Sequence, residues 1–209
     1  MDDACAAGLR IRPARQEDVA AMLRIYAHYV RETAVTFEYD VPGQEEFAGR
    51  VARVQQAFPW LVAEKGGAVT GYAYAAPFHP RAAYAWCAEL AIYMARDARG
   101  IGLGAALYSA LGRVLRLQNM LLAYACVAWN GQEDDRLTHA SRRFHERQGF
   151  RVTGYFPGCG YKFGRWYGML WMEKRLAPPA SPPAAVIPFA QLDAQDLQQA
   201  LRCPPPAMA

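Results

Sequence analysis

The sequence predicts an α/β (α+β) fold in which a mixed sheet carries helices on both faces. Three observations predict it. Strand-like segments alternate with segments whose apolar residues recur every three or four positions. Lys65-Gly66-Gly67 joins two strand-like runs as a hairpin. A glycine-rich stretch, Arg99-Gly100-Ile101-Gly102-Leu103-Gly104, stands between an apolar strand and a helical pattern.

Leu9-Arg10-Ile11-Arg12 alternates as a first strand, and Asp18 is placed to cap a helix with Val19, Met22, Leu23, Tyr26, Tyr29 and Val30 on its apolar face. Thr33 to Glu38 is rich in β-branched residues and reads as an edge strand or as a loop crossing the top of the fold. A second helix is signalled by Phe47, Val51, Val54 and Phe58, with Glu45 and Glu46 at the start that the helix dipole favours. The hairpin strands are 60–64 and 69–75. A further strand at 87–94 leads into the glycine stretch and a helix to about 117, with Leu103, Leu107, Leu111 and Leu115 on one face. The run 121–129 fits a buried strand. A polar insert follows, and then a helix with Ala140, Phe144 and Gln148 on one side. Strands at 150–155 and 166–173 complete the sheet.

The chain has 209 residues, of which 53% are hydrophobic, enough for one ordinary domain and a tail. The division expected is a flexible start at 1–8, a domain over 9–176 and a tail over 177–209. Eight of the fourteen prolines lie from Pro178 onward, so the tail reads as mostly disordered. The other reading is a short amphipathic helix with Phe189, Leu192, Leu197 and Leu201 docked on the domain or on a partner. No apolar run is long enough for a membrane helix, and Met1-Asp2-Asp3 lacks a signal peptide's basic start, so a cytoplasmic location and no membrane partner are expected. Five scattered cysteines without a C-x-x-C spacing read as reduced thiols and not as a zinc site, so no metal is expected. The net charge of +4 comes from Lys and Arg spread along the chain, which gives no nucleic-acid arm.

A glycine turn opening a helix aims free backbone N–H groups and the positive end of the helix dipole at an anion, most often a phosphate. The G-x-G-x-x-G dinucleotide fingerprint is broken at its last position, where Leu107 stands. The stretch matches R-x-x-G-x-G, which resembles the acyl-CoA pyrophosphate loop of the GNAT superfamily of N-acetyltransferases. Further likeness lies in Pro77-Phe78 to Tyr84, in Ala88-Glu89-Leu90-Ala91-Ile92-Tyr93, in His145-Glu146-Arg147-Gln148-Gly149-Phe150 and in Gly160-Tyr161-Lys162-Phe163-Gly164-Arg165-Trp166. Together they resemble the branch that acetylates phosphinothricin and methionine sulfoximine or sulfone, over about 9–176.

The resemblance implies a mostly antiparallel central sheet whose splayed strands bind acetyl-CoA, and acetyl transfer to the amine of a small amino-acid-like acceptor. It places the backbones of Ala91, Ile92 and Tyr93 on the pantetheine arm, and Arg99, Gly100, Ile101, Gly102, Leu103 and Gly104 on the pyrophosphate. Asn130 and Ser141 match further CoA contacts, although the 131–138 insert departs from the compact pattern between them. A homodimer is also implied. Phe37 and Glu38 match the loop that roofs the acceptor pocket, and Arg81 and Tyr84 match acceptor-binding positions. Tyr161 and its neighbours shape either that pocket or a dimer contact. His145 stands where many members carry a tyrosine, as a proton donor to the leaving thiolate, a contact to the acceptor, or a packed helix histidine.

Chemistry singles out Glu89 independently. An ammonium has no lone pair, so transfer near neutral pH needs a base. Glu89 is the one carboxylate inside an otherwise apolar strand just upstream of the glycine loop, and burial would raise its pKa toward that task. Two rivals remain at this level: acetylation of a protein N-terminus or lysine, and an acyl-CoA-binding module without catalysis.

Overall fold

The computed structural model describes residues 8–202, so the expectations for 1–7, for 203–209, and for Cys5 and Cys203 lie outside the described residues. Seven strands form one sheet: β1 (Leu9–Pro13), β2 (Trp60–Lys65), β3 (Ala68–Pro77), β4 (Cys87–Met94), β5 (Leu122–Trp129), β6 (Arg151–Lys162) and β7 (Arg165–Arg175). Their order is β1-β2-β3-β4-β5-β7-β6, and every neighbouring pair is antiparallel except β4 and β5. The helices are α1 (Val19–Glu32), α2 (Gln44–Gln55), α3 (Leu103–Leu117), α4 (Ala140–Arg147) and α5 (Ala194–Leu201).

Strand alternation divides the core into two layers. Ala88, Leu90 and Met94 of β4 face the larger core, beside Ala73 and Ala75 of β3 and the fully buried Leu103, Leu107, Leu111 and Leu115 of α3. Trp60, Val62 and Tyr72 face the other way, onto Val19, Met22, Ile25, Tyr26, Tyr29 and Val30 of α1 and Phe47 and Val51 of α2. The spacing in α3 therefore reads out directly as its buried face. In α1 the stripe is displaced slightly: Ile25 is buried, whereas Leu23 only flanks the core. Phe58 lies beyond the end of α2, and 33–38 is a loop instead of a strand.

Three expectations are corrected. Asp18 sits at the N-cap of α1, but its carboxylate makes no cap bond. It holds the Arg12 guanidinium in a two-pronged pair, at 2.6 and 2.8 Å, and accepts from the Arg15 amide, while Glu64 takes the Nε of Arg12 at 2.9 Å. On α4 it is His145 that turns inward, with Phe144 partly buried and Ala140 exposed. The 177–202 part of the tail is packed, not disordered: Phe189 and Ala200 are buried in the larger core, with Val186, Leu192, Leu197 and Leu201 against it.

The tail's composition explains how it docks. A proline-rich segment has few amides to donate but keeps its carbonyls, and the domain supplies side-chain donors for them. Trp86 Nε1 donates to Ala184 O, Asn119 Nδ2 to Ala185 O, and Gln118 Nε2 to Ile187 O. Arg113 on α3 then donates to Ala200 O and Arg202 O at the end of α5.

The Arg12–Asp18 pair makes a stability prediction. Burial alone would raise the Asp18 carboxyl, but the bonds from Arg12 and the Arg15 amide outweigh it and hold it below its ordinary value. A carboxyl lowered on folding stabilises above its unfolded pKa and loses that contribution as pH falls through the folded one. Asp18→Ala leaves a buried guanidinium with only Glu64, so we expect a loss of about 3–5 kcal/mol in urea unfolding at pH 7. The gap to the unaltered protein should narrow as pH drops below about 4.

Candidate active site

The site is built where two neighbouring strands part. β4 and β5 pair only at Cys87 with Leu122, Ala88 with Ala123, and Glu89 with Tyr124. Beyond that point β4 stays on β3 as far as Met94, and β5 stays on β7 as far as Trp129, so the two diverge. The free inner edge of β4 carries Ala91, Ile92 and Tyr93. A gap edged by unpaired strand backbone accepts an extended, amide-bearing chain as an added strand.

The glycine stretch closes the end of this gap. Gly100 and Gly102 have φ of 78° and 83°, a conformation that costs other residues strain. Gly102 is the N-cap of α3 and, lacking a side chain, leaves the first-turn amides of the helix uncapped. Ile101 projects outward, half exposed. The Arg99 guanidinium lies 5.0 Å over the Tyr29 ring, whose hydroxyl in turn donates to the Met94 carbonyl and accepts from the Met94 amide. These groups fit a pyrophosphate: uncapped helix amides, a helix dipole and a guanidinium converge on one place.

The insert after β5 folds into a closed unit. Asp134 accepts from the Arg136 and Leu137 amides, Leu137 is buried beside Ala34 and Tyr167, and His139 Nε2 bonds to Asn130 O at 2.9 Å. The last contact ties the two ends of the insert, so Asn130 and Ser141 are kept close despite the added residues.

Glu89 sits at the fork itself, half-buried, on the face shared with Ala91 and Tyr93. Burial pushes its carboxyl up, and no opposing charge or hydrogen bond among the described residues offsets it. His145 does not join it. The imidazole is buried on the α3 side, with Nδ1 2.8 Å from Ser141 O and Nε2 3.0 Å from the Tyr108 hydroxyl. A carbonyl only accepts, so Nδ1 carries the proton and Nε2 accepts from Tyr108. Burial also lowers the His145 pKa, which keeps the ring neutral. Of the three roles open to His145, this arrangement, with both nitrogens engaged, matches the packed helix histidine.

The 33–40 loop spans from α1 to the β6–β7 hairpin. Phe37 packs so tightly on Gly160 that a Cβ there would fall 2.3 Å from its ring. Glu38 is tied to Arg50 at 2.6 Å, and Tyr39 donates to the Tyr161 carbonyl. Tyr161 itself turns its ring outward against Trp166, 48% exposed. The next residue, Lys162, points inward: 2% exposed, it donates to the carbonyls of Thr33 and Thr36 at 2.9 and 2.7 Å. Burial lowers its pKa to about 8 against the opposing pull of Glu38. Arg81 is exposed, and Tyr84 packs on His79 and edge-on to Phe78, which stacks at 4.2 Å on Tyr124. This places the 78–84 loop on the Tyr124 side of the fork.

Sequence reasoning did not find Lys162 as the loop's anchor, Tyr108 as the partner of His145, or the ring cluster of Trp60, Tyr72 and Tyr74. Only the last left a signal, the Tyr72-Ala73-Tyr74 alternation, which puts two large rings on one face of β3.

A mixed sheet with a forked parallel pair, a glycine-opened helix at the fork's mouth and a half-buried carboxylate without a partner at its base defines an acyl-CoA-binding acyltransferase. Residues 11–171 match the acetyltransferase (GNAT) domain, and the chain belongs to that family. It is 34% identical over 184 residues to a phosphinothricin N-acetyltransferase of Streptomyces viridochromogenes, covering 88% of this chain and 96% of that one. It is 33% identical to an L-methionine sulfoximine/L-methionine sulfone acetyltransferase of Pseudomonas aeruginosa, covering 83% and 98%. The crystal structure of a phosphinothricin acetyltransferase from Sinorhizobium meliloti in complex with acetyl-CoA superposes with a TM-score of 0.78 at 30% identity, covering 88% and 97%.

Lys162→Met leaves the Thr33 and Thr36 carbonyls without their donor. We expect a loss of about 1–3 kcal/mol in thermal or chemical unfolding. Faster amide hydrogen exchange should appear across 33–38, with the α3 core unchanged.

Proposed function

We propose that this chain transfers acetyl directly from acetyl-CoA to the amine of a small amino-acid-like acceptor, with Glu89 as general base. The observation that carries the reading is the position of Glu89: an unpaired carboxylate of raised pKa at the base of the fork. Acetyl-CoA supplies the activated acyl group as its thioester. In this reading Ala91, Ile92 and Tyr93 hold the pantetheine arm by their backbones, residues 99–104 hold the pyrophosphate, and Asn130 and Ser141 flank the arm. Phe37 and Glu38 roof the acceptor, and Arg81 and Tyr84 receive its carboxylate, for which a guanidinium is the best partner. Glu89 takes the ammonium proton, directly or through a water, and exposes the lone pair that attacks the thioester carbonyl; the C–S bond then breaks, and the departing CoA thiolate takes up the second proton shed by the acylated amine.

His145 acts here as a positioning residue that fixes Tyr108 on α3. A covalent route through a thiol is disfavoured, since burial and the charge of Glu173 both push the Cys87 thiol up and away from the reactive thiolate. The reading includes a cytoplasmic enzyme that uses no metal. It also includes a homodimer. The outer hairpin supports it, for Val152, Tyr155, Phe156 and Trp166 are each exposed on β6 and β7.

Glu89→Gln should lower kcat about 10²–10⁴-fold with acetyl-CoA affinity retained. The unaltered enzyme should gain rate with pH through a pKa above that of an ordinary carboxyl, and the variant should lack that limb. A carboxyl raised on folding costs stability once pH exceeds it, so the variant should melt at the same temperature or higher at pH 7. A large fall in melting temperature would instead make Glu89 structural. For the assembly, Trp166→Glu should convert a dimer to a monomer in sedimentation velocity; a monomer already in the unaltered protein would refute that part.

A further inference from the structure

Between α1, α2 and the α1 side of the sheet lies a cavity of about 190 Å³ that the transfer chemistry leaves unused. Its walls are rings: Tyr26, Phe47, Trp60, Tyr72, Tyr74 and Tyr93. Trp60 stacks on Tyr74 at 4.1 Å and on Tyr72 at 5.7 Å, and Tyr93 meets Tyr26 edge-on at 5.0 Å. The register puts this cavity beside the base. Tyr72 faces Tyr93, Tyr74 faces Ala91 and Ala76 faces Glu89, so the rings and the carboxylate share one face of β3 and β4. Burial raises the Tyr74 phenol, with the charges of Tyr26 and Glu89 adding to it, which places Glu89 within electrostatic reach.

Two of the three charged side chains at the cavity, Arg50 and Glu38, are committed to each other. Arg50 gives Nη1 to Glu38 and also bonds Glu46, and Arg53 stands exposed at the rim. Glu38 Oε2 is buried without a partner. An anionic group drawn among these rings would meet a neutralised guanidinium and a carboxylate, and would lose its hydration uncompensated. An uncharged side chain loses little on entering and gains contact with six ring faces and edges.

We propose that this cavity receives the side chain of the acceptor and selects amino acids with an uncharged side chain, such as a thioether, a sulfone or an aliphatic chain, over those with an anionic one. This deepens the function proposed above and rests on it. At about 30 Å³ for each water-sized unit, the space holds roughly six heavy atoms, a methionine-derived side chain. Phosphinothricin, whose side chain ends in an anionic phosphinate, is then a poor acceptor despite the names of the relatives.

The test measures kcat/KM for methionine, methionine sulfone and norleucine against phosphinothricin and glutamate, with alanine as the acceptor too small to reach the cavity. The uncharged long acceptors should exceed the two anionic ones at least tenfold. Tyr74→Ala should raise KM for methionine sulfone about tenfold and change alanine less than twofold. Phosphinothricin or glutamate ranking first would overturn the proposal, as would equal losses on alanine and methionine sulfone. Saturation-transfer NMR of the same amino acids with the unaltered protein and CoA ranks binding without turnover. If nothing is acetylated, the transfer reading fails, while the NMR ranking still decides the cavity: preference for uncharged side chains supports it, and preference for anionic ones or none refutes it.

Discussion

Everything at this site depends on a parallel pair of strands that stop pairing after three residues. A parallel ladder interrupted in mid-sheet exposes backbone donors and acceptors on both inner edges, and each strand must be held by something else. β4 is held by its seven-residue register with β3, and its end is pinned by the Tyr29 hydroxyl, which bonds both the amide and the carbonyl of Met94. β5 is held by eight register pairs with β7. The fork is thus rigid on its outer sides and open on its inner ones. Glu89 and Tyr124 are the last pair before it opens, which fixes where a base can stand.

The 33–40 loop is fixed by the hairpin and not by its own sequence. Phe163 and Gly164 both have positive φ, 50° and 75°, which makes the tight reversal between β6 and β7. Alternation through that reversal sends Tyr161 out and Lys162 in. Lys162 then reaches two carbonyls three residues apart in a loop that has no regular structure to satisfy them. One buried ammonium does the work of a short ladder, and Gly160 leaves the notch in which Phe37 seats.

Most elements were legible because their periodicity serves one purpose. The leucines of α3 recur every four residues and all four are buried; the range of β4, 87–94, is read from the sequence without error; Lys65-Gly66-Gly67 ends β2 and turns into β3. The failures share a cause: the residue's partner lies outside the element whose pattern is read, six residues back for Asp18 and more than sixty for the tail. Asp18 looks like a cap because its neighbours form a helix start, yet Arg12, on the first strand, outcompetes the helix amides for it. The tail looks disordered because proline removes amides, and the pattern that docks it is a set of side-chain donors at Trp86, Gln118 and Asn119, some sixty to one hundred residues upstream. His145 was placed on a helix with its role left open, since its hydrogen bonds depend on Tyr108 of α3, thirty-seven residues away.

Burial treats the ionisable groups of the site in opposite ways, and the difference assigns their work. Glu89 and Lys162 are both desolvated, so each moves toward its neutral form, the carboxyl upward and the ammonium down to about 8. Lys162 has two carbonyls to hold its hydrogens in either state, which suits a fixed strut. Among the described residues Glu89 has neither a donor nor a cation, so nothing there stabilises its charge or its proton. A group left in that balance is stabilised by what binds beside it, and an approaching ammonium supplies both the counter-charge and the proton. The absence of a partner for Glu89 among the described residues therefore supports the proposed base over a buried structural carboxylate such as Asp18, whose partners are complete before any ligand arrives.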